Sequence, residues 1–295
     1  METVFRDYAP KGVQFYYVYK ALAHWGLECY VGPVTIEERL IHIQEAKRTL
    51  GTEITWLADT MANDLKHLIG DASNSEFILG PDGKIIHARL WSDPEQLRED
   101  LGRLVGVVEN PTTVADLGLV VEPPPEPAPR GILERVRLEG DFNPLIALPQ
   151  LESTNVPFYA KLRVAAQNRL LLEGEGQLYL GYFLDPVYNV HWNNEAAPVQ
   201  YEIVAPEAIT VTPAKGQGPT LEHAMDSDPR EFVLNVNRNT STEPMTIKFF
   251  YYACNDAWCV PVRQEYLITW DLDRDSGTQF GLGEIDPRML ENYPQ

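Results

Sequence analysis

Met245-Thr-Ile-Lys-Phe-Phe-Tyr-Tyr-Ala253, then Cys254-Asn-Asp-Ala-Trp-Cys259, then Val260-Pro-Val262 and Glu265-Tyr-Leu-Ile-Thr-Trp270, is the stretch that decides how this chain reads. Both flanks are rich in aromatic and β-branched residues, which fit a pleated, half-buried surface. Each flank therefore reads as a strand, and the four residues between the cysteines as a tight connection. Residues facing each other in an antiparallel pair have Cα atoms roughly 4.5 to 5.5 Å apart, a separation that a disulfide spans. A bridge between Cys254 and Cys259 is thus geometrically easy. It closes a loop of about six residues, for which chain entropy gives about 2 kcal/mol, near the low end for disulfides. A purely structural staple would serve better on a longer loop. Three readings of the pair stay open on residues alone: a redox-active couple, a structural bridge or two inert thiols, and half of a metal site. Zinc is the weakest of these, because tetrahedral binding wants four ligands and there is no second cysteine pair.

Composition narrows the rest. The 295 residues suffice for two domains with real cores, and the apolar and charged fractions are those of a globular protein. No apolar run approaches the ~20 residues of a membrane helix. Met1-Glu-Thr-Val-Phe-Arg-Asp-Tyr8 has neither the basic start nor the apolar segment of an export signal, so the expectation is a cytosolic protein or a chain given without its signal. The formal charge of −19, from 43 acidic against 24 basic residues, argues against nucleic acid and anionic membrane surfaces, which require a Lys/Arg footprint, and no basic cluster supplies one. The third cysteine, Cys29, has no obvious partner and reads as a small half-buried thiol.

Taken in order, residues 3 to 9 read as the end of a helix, and Val13-Gln-Phe-Tyr-Tyr-Val-Tyr19 as a strand covered on both faces, since it is apolar at nearly every position. Thr35 with Glu38 forms a capping box that opens a helix with Ile36, Leu40, Ile43, Ala46 and Leu50 at helical spacing, and Gly51 closes it. Glu53 to Leu57 predicts a strand, and Asn63 to Ile69 a short helix. Glu76 to Leu79 with Lys84 to Arg89 predict a hairpin across Gly80-Pro-Asp-Gly83. Asp93-Pro94 starts a helix to about Val105, with proline at the first position where its missing donor costs nothing. Alternating strands and helices predict an α/β domain over residues 1–120. The run Val121-Glu-Pro-Pro-Pro-Glu-Pro-Ala-Pro129 is a stiff extended spacer, and 121–131 are taken as the linker. Over 132–279, short strands at 160–165, 177–183, 199–204, 209–212, 231–236 and the two beside the cysteines predict an all-β sandwich of Ig-like type, with 280–295 a loose tail.

Both halves resemble known families. Val18-Tyr-Lys-Ala-Leu-Ala-His24, Glu38-Arg39 and Asp59-Thr-Met-Ala-Asn63 are similar to the V-Y-I-x-E-A-H, E-R and D-x-M-x-N of the iodothyronine deiodinase-like branch of the thioredoxin-like superfamily, near the redoxin and peroxiredoxin groups. The resemblance covers residues 13 to 106. It departs from the family in having Leu22 for a glutamate, no Cys-x-x-Cys, and no proline near Asn74 or Ser75 where the family's cis-proline would fall. The strand and reactive cysteine or selenocysteine that open such a domain would lie before Met1. The implied domain is a thioredoxin-like one without its first active-site strand and motif, with His24 as an accessory that could orient a substrate. Its sheet is expected to show a gap, a borrowed strand or fraying. A full enzyme of deiodinase or peroxidase type whose start lies upstream is one alternative.

Residues 180 to 272 resemble the N-terminal Ig-like periplasmic domain of the bacterial transmembrane thiol:disulfide interchange proteins. Gly181 to Asn193, with His191-Trp-Asn193, is similar to that family's P-G-W-H-x-N strand. Tyr251-Tyr-Ala-Cys254-Asn-Asp-Ala-Trp-Cys259-Val-Pro261 is similar to its Y-x-A-C-x-x-x-x-C-x-P. The resemblance implies a periplasmic or extracytoplasmic thiol-disulfide exchange protein, in which Cys259 exchanges and Cys254 resolves. It also implies thiol or disulfide protein partners, a separate electron donor, and no cofactor or metal. Asp256 in the connection adds a negative charge that would raise a nearby thiol pKa. Trp258 is an aromatic that could shield a reactive sulfur, although Trp192 and Trp270 read as core or cap residues. The rival expectation is a non-catalytic interaction protein with a structural disulfide. His87, His191 and His223 lack ligand spacing. Asp271-Leu-Asp-Arg-Asp-Ser-Gly277 imitates a calcium loop, but with its glycine one place late and Leu282 where the loop ends in glutamate; it reads as a solvated acidic turn.

Overall fold

The computed structural model describes residues 1–22, 30–70, 72–123 and 128–275. The chain divides into two compact units, one of Met1–Ala21, Thr35–Pro124 and Glu284–Gln295 and one of Leu22–Val34 and Pro125–Gly283. His24 and Cys29, the residues from Ser276 onward and part of the Pro-rich spacer lie outside the described residues.

The first unit holds α1 (Glu2–Tyr8), β1 (Tyr16–Tyr19), α2 (Ile36–Leu50), β2 (Thr55–Ala58), α3 (Asp64–Ile69), β3 (Glu76–Leu79), β4 (Ile85–Arg89), α4 (Pro94–Val105) and α5 (Val114–Leu117). Helix α2 has the ends its sequence dictates. Thr35 Oγ1 accepts from the Glu38 N–H at 3.2 Å, and Gly51 closes the helix in the left-handed conformation at φ 61°. Asp93 caps α4 by accepting from the Glu95 and Gln96 N–H groups. Val4 and Tyr8 of α1 pack with Ile78, Leu97 and Leu101 as the unit's small core. Asp7 pairs with Arg98 across that contact.

The strands of this unit form two separate pairs, parallel β1–β2 and antiparallel β3–β4, joined by no common sheet among the described residues. Strand β1 therefore differs from the doubly covered strand its composition predicts. With a single neighbour its side chains stay half-buried, and Tyr16 is 52% exposed. The residues quoted as Glu38-Arg39 and Asp59 to Asn63 come together as a clamp. Arg39 donates to the Asp59 and Thr60 carbonyls at 3.0 and 2.6 Å and to Asn63 Oδ1 at 3.0 Å. The Asp59 carboxylate accepts from the N–H groups of Thr60, Leu65 and Lys66, which starts α3.

The second unit is β-rich: β5 (Phe142–Pro149), β6 (Ala160–Gln167), α6 (Asn168–Glu173), β7 (Glu175–Leu184), β8 (His191–Asn193), β9 (Gln200–Val204), β10 (Thr210–Thr212), β11 (Lys215–Gln217), β12 (Met225–Asp226), β13 (Arg230–Asn237), β14 (Met245–Cys254) and β15 (Cys259–Leu272). These strands join in one sheet in the order β10-β13-β7-β6-β5-β15-β14-β8-β12, with β9 also on β14 and β11 on β9. The sheet folds over one main core, with Phe142, Ala165 and Tyr179 forming a small separate cluster. Tyr182 of β7 stacks on Phe249 of β14 with ring centroids 3.5 Å apart, and the hydroxyls of Tyr251 and Tyr266 hydrogen-bond the backbone of β6 at Ala160 and Leu162. Two arms of the sheet, β6–β7 and β14–β15, thus meet across one apolar layer. β5, which turns the corner between the arms, contains Pro144 and Pro149 and is absent from the strands its sequence predicts. The Pro144 carbonyl still accepts from the Asp273 N–H, so the strand bonds on through its acceptors.

Candidate functional site

Strands β14 and β15 form the hairpin that carries the two cysteines, and they pair from Met245↔Ile268 to Cys254↔Cys259. Met245, Ile247, Phe249, Tyr251 and Ala253 are buried in the core, so the even-numbered residues of β14, Cys254 among them, belong to the outer face. The Asn255 N–H donates to the Trp258 carbonyl at 2.9 Å, which makes 255 and 258 a hydrogen-bonded pair. Because such pairs alternate, Cys254 and Cys259 form a non-hydrogen-bonded pair, the position where facing residues come closest. Their Cα atoms are 4.0 Å apart and a disulfide joins them. Asn255 Oδ1 accepts from the Ala257 and Trp258 N–H groups at 2.9 and 3.0 Å and sets the turn.

The bridge is asymmetric. Cys254 is 3% exposed, enclosed between β15 on one side and β8 on the other, whereas Cys259 at the start of β15 is exposed. The pairing of β15 with β5 begins only at Tyr266↔Pro149. By the same alternation, the backbone groups of Cys259, Pro261 and Arg263 point away from β14, and among the described residues nothing pairs with them. Glu265, next in that series, is bonded by Gln150 and Ser153. The exposed sulfur therefore lies on an open stretch of sheet edge, blunted at Pro261 by the missing donor.

Two residues that sequence reading did not place in the site belong to it. His191 of β8 is the register partner of Cys254, so His191, Cys254 and Cys259 form one cross-strand row on the outer face. His191 Nδ1 lies 2.9 Å from the Trp192 carbonyl, which can only accept, so Nδ1 carries the proton. Asn193, two residues on and therefore on the same face, donates from Nδ2 to Cys259 Sγ at 3.5 Å. The quoted stretch His191-Trp-Asn193 contains both residues, but only the pairing of a strand sixty positions upstream brings them to the cysteines.

The chain matches no family model, curated protein or solved structure. The site's chemistry accordingly rests on its own geometry.

Strand β8 is fixed from behind. Trp192 is buried, and its Nε1 donates to the Asp228 carbonyl at 2.7 Å. Asn194 Nδ2 donates to Asp226 Oδ2 at 2.7 Å, and Arg230 donates to both Asp226 oxygens at 2.9 and 2.7 Å and to Asn194 Oδ1 at 3.1 Å. Burial works to raise the Asp226 carboxyl pKa. The Arg230 and Asn194 hydrogen bonds, the Arg230 charge and the Asp228 N–H outweigh burial and hold it below the ordinary value. Of the remaining candidates, Trp258 packs its ring on Tyr159 at 5.4 Å, and Tyr159 meets Tyr188 edge-on at 5.2 Å. Asp256 is exposed in the turn between the cysteines. His24 lies outside the described residues. Among the described residues no group of three or more His, Cys, Asp or Glu could hold a metal, and no helix is long and apolar enough to cross a membrane.

Proposed function

We propose that the chain is a thiol-disulfide exchange protein working through Cys254 and Cys259. The observation that carries the proposal is the asymmetry of the bridge: one sulfur enclosed in the sheet, the other exposed on an open strand edge. A partner thiolate attacks Cys259 Sγ. The Sγ–Sγ bond breaks, its electron pair leaves on Cys254 Sγ, which takes a proton from solvent, and the partner is joined to Cys259. A second thiolate on the partner then attacks the partner's own sulfur and expels the Cys259 thiolate. The partner is oxidised to a disulfide by two electrons and the pair is reduced to two thiols; run backwards, the same steps reduce a partner disulfide. Cys254 is the internal resolving group, held where it can reclaim Cys259 if no second thiol arrives.

In the same reading the β-rich unit is an Ig-like domain and the first unit a thioredoxin-like domain that recognises the partner, in an extracytoplasmic setting where disulfides persist. These finer assignments are supported by the motif resemblances quoted for each half. A reduced Cys254→Ser protein mixed with a disulfide-bonded partner should accumulate a mixed disulfide through Cys259, and Cys259→Ser should accumulate none. If the reduction potential of the wild-type pair lies well below about −300 mV and small thiols never open the bridge, the pair is a staple and the exchange reading fails.

A further inference from the structure

We infer that Asn193 is a catalytic hydrogen-bond donor that stabilises the Cys259 thiolate whenever that sulfur is expelled or attacks. The inference rests on the exchange reading and goes beyond it, because it assigns the group that handles charge on the reacting sulfur.

The geometry that carries it is the orientation of one amide. The Asn193 side-chain oxygen accepts from two backbone N–H groups, those of Glu195 at 3.0 Å and Ala196 at 3.2 Å. An amide oxygen held by two donors leaves its nitrogen no choice of direction, and Nδ2 faces Cys259 Sγ at 3.5 Å. The backbone on either side is anchored by buried contacts, Trp192 to Asp228 and Asn194 to Asp226 and Arg230, so the donor is positioned before any reaction begins. A neutral sulfur in a disulfide accepts weakly, whereas a thiolate accepts strongly. The same N–H therefore gains strength as negative charge develops on Cys259, which is the condition for lowering a barrier rather than merely binding the ground state. Cys254 has no such donor on its sulfur among the described residues and sits enclosed. The contact thus acts in the steps where Cys259 leaves or attacks; in the first step, where the electron pair leaves on Cys254, the enclosure of Cys254 directs the partner to Cys259.

The turn made by Asn193 supplies the competing structural explanation, and one substitution separates the two. Asn193→Asp keeps the oxygen that accepts from Glu195 and Ala196 but replaces the donor with a negative oxygen facing the sulfur. Asn193→Ser keeps a turn-forming acceptor and adds no charge, and its hydroxyl, one bond shorter than the amide, falls short of Sγ and cannot replace the donor. Each is made in the Cys254→Ser protein, and the rate of Cys259 alkylation by iodoacetamide is followed from pH 5 to 11. The other titratable or charged groups around Cys259 are unchanged throughout: His191 in the same row, Asp256 in the turn, Glu195 after Asn193, and Tyr252 and Arg263 along the outer face.

The midpoint of the pH–rate profile should move up in both variants. At a pH below the midpoint the rate should fall about tenfold for Asn193→Ser, the size expected for losing a hydrogen bond to a charged acceptor, and further for Asn193→Asp, which adds a like charge. The limiting rate at high pH, which reports access to the sulfur, should not fall. A midpoint that stays put in both variants overturns the inference, and so does a loss confined to the limiting rate, because either result makes Asn193 a turn residue only. The exchange reading is judged separately by mixed-disulfide trapping with Asn193 intact. Trapping with an unmoved midpoint refutes the Asn193 role alone, whereas a moved midpoint without trapping refutes exchange and leaves the thiolate contact standing.

Discussion

Arg230→Met removes the guanidinium, which faces Asp226 and lies over the Trp192 ring with Cζ 5.1 Å from its centroid, while keeping most of the aliphatic stem. Both side chains of the pair are shut off from solvent, at 2% and 0% exposed, and their nearest N and O atoms are 2.7 Å apart. After the substitution Asp226 keeps its bonds from Asn194 and from the Asp228 N–H but loses both guanidinium bonds, and Asn194 Oδ1 loses its donor. A buried carboxylate stripped of its cation costs about 3 to 5 kcal/mol. With a urea slope of about 2 kcal/mol/M, the unfolding midpoint should fall by about 1.5 to 2.5 M. The pH dependence sharpens the test. In the wild type the Asp226 carboxyl pKa is depressed, so its stabilisation is present above the ordinary carboxylate range and is lost as pH falls through the depressed value. In the variant, burial without the cation raises it, so the penalty is greatest at neutral pH and lifts on acidification. The difference between the two proteins should therefore be largest near pH 7 and shrink towards pH 4, as followed by circular dichroism in urea. A difference below about 1 kcal/mol, or one independent of pH, would show that water reaches the pair and that β8 is not anchored as argued.

Two further substitutions probe other parts of the chain. Gly174 has φ +83°, and a Cβ there would meet the Asn239 carbonyl, so Gly174→Ala should destabilise the β-rich unit by about 2 kcal/mol or more in urea unfolding. Burial pushes the Asp59 carboxyl up, but three backbone N–H bonds and the Arg39 charge more than offset it and hold it below its ordinary value. Asp59→Asn should therefore weaken the first unit at neutral pH and matter progressively less as pH falls through the carboxylate range, as read from thermal unfolding.

What could be read from the sequence, and what could not, follows the range of the interactions. Thr35, Glu38 and Gly51 act within one helix, and their caps are local chemistry, so α2 was legible to within a residue. The cysteine hairpin was legible for the same reason: both strands and the turn lie in one stretch. β5 was not, because Pro144 and Pro149 argue against a strand unless its neighbours are known. The separation of β1–β2 from β3–β4 and the exposure of Tyr16 are not legible in the sequence, since an apolar composition does not tell how many neighbours a strand will have. In the site, Cys254 and Cys259 could be found by eye. His191 and Asn193 could not, because the pairing of β8 with β14 brings together residues far apart in the chain and no local spacing encodes it.

The most direct test is to find which sulfur an incoming thiol takes. The oxidised wild-type protein is exposed briefly to reduced glutathione, quenched in acid, alkylated and digested, and the two cysteines are mapped by mass. Glutathione should be found on Cys259 and the alkyl group on Cys254. Glutathione on Cys254, or a bridge that stays closed at every glutathione concentration, would contradict attack at Cys259.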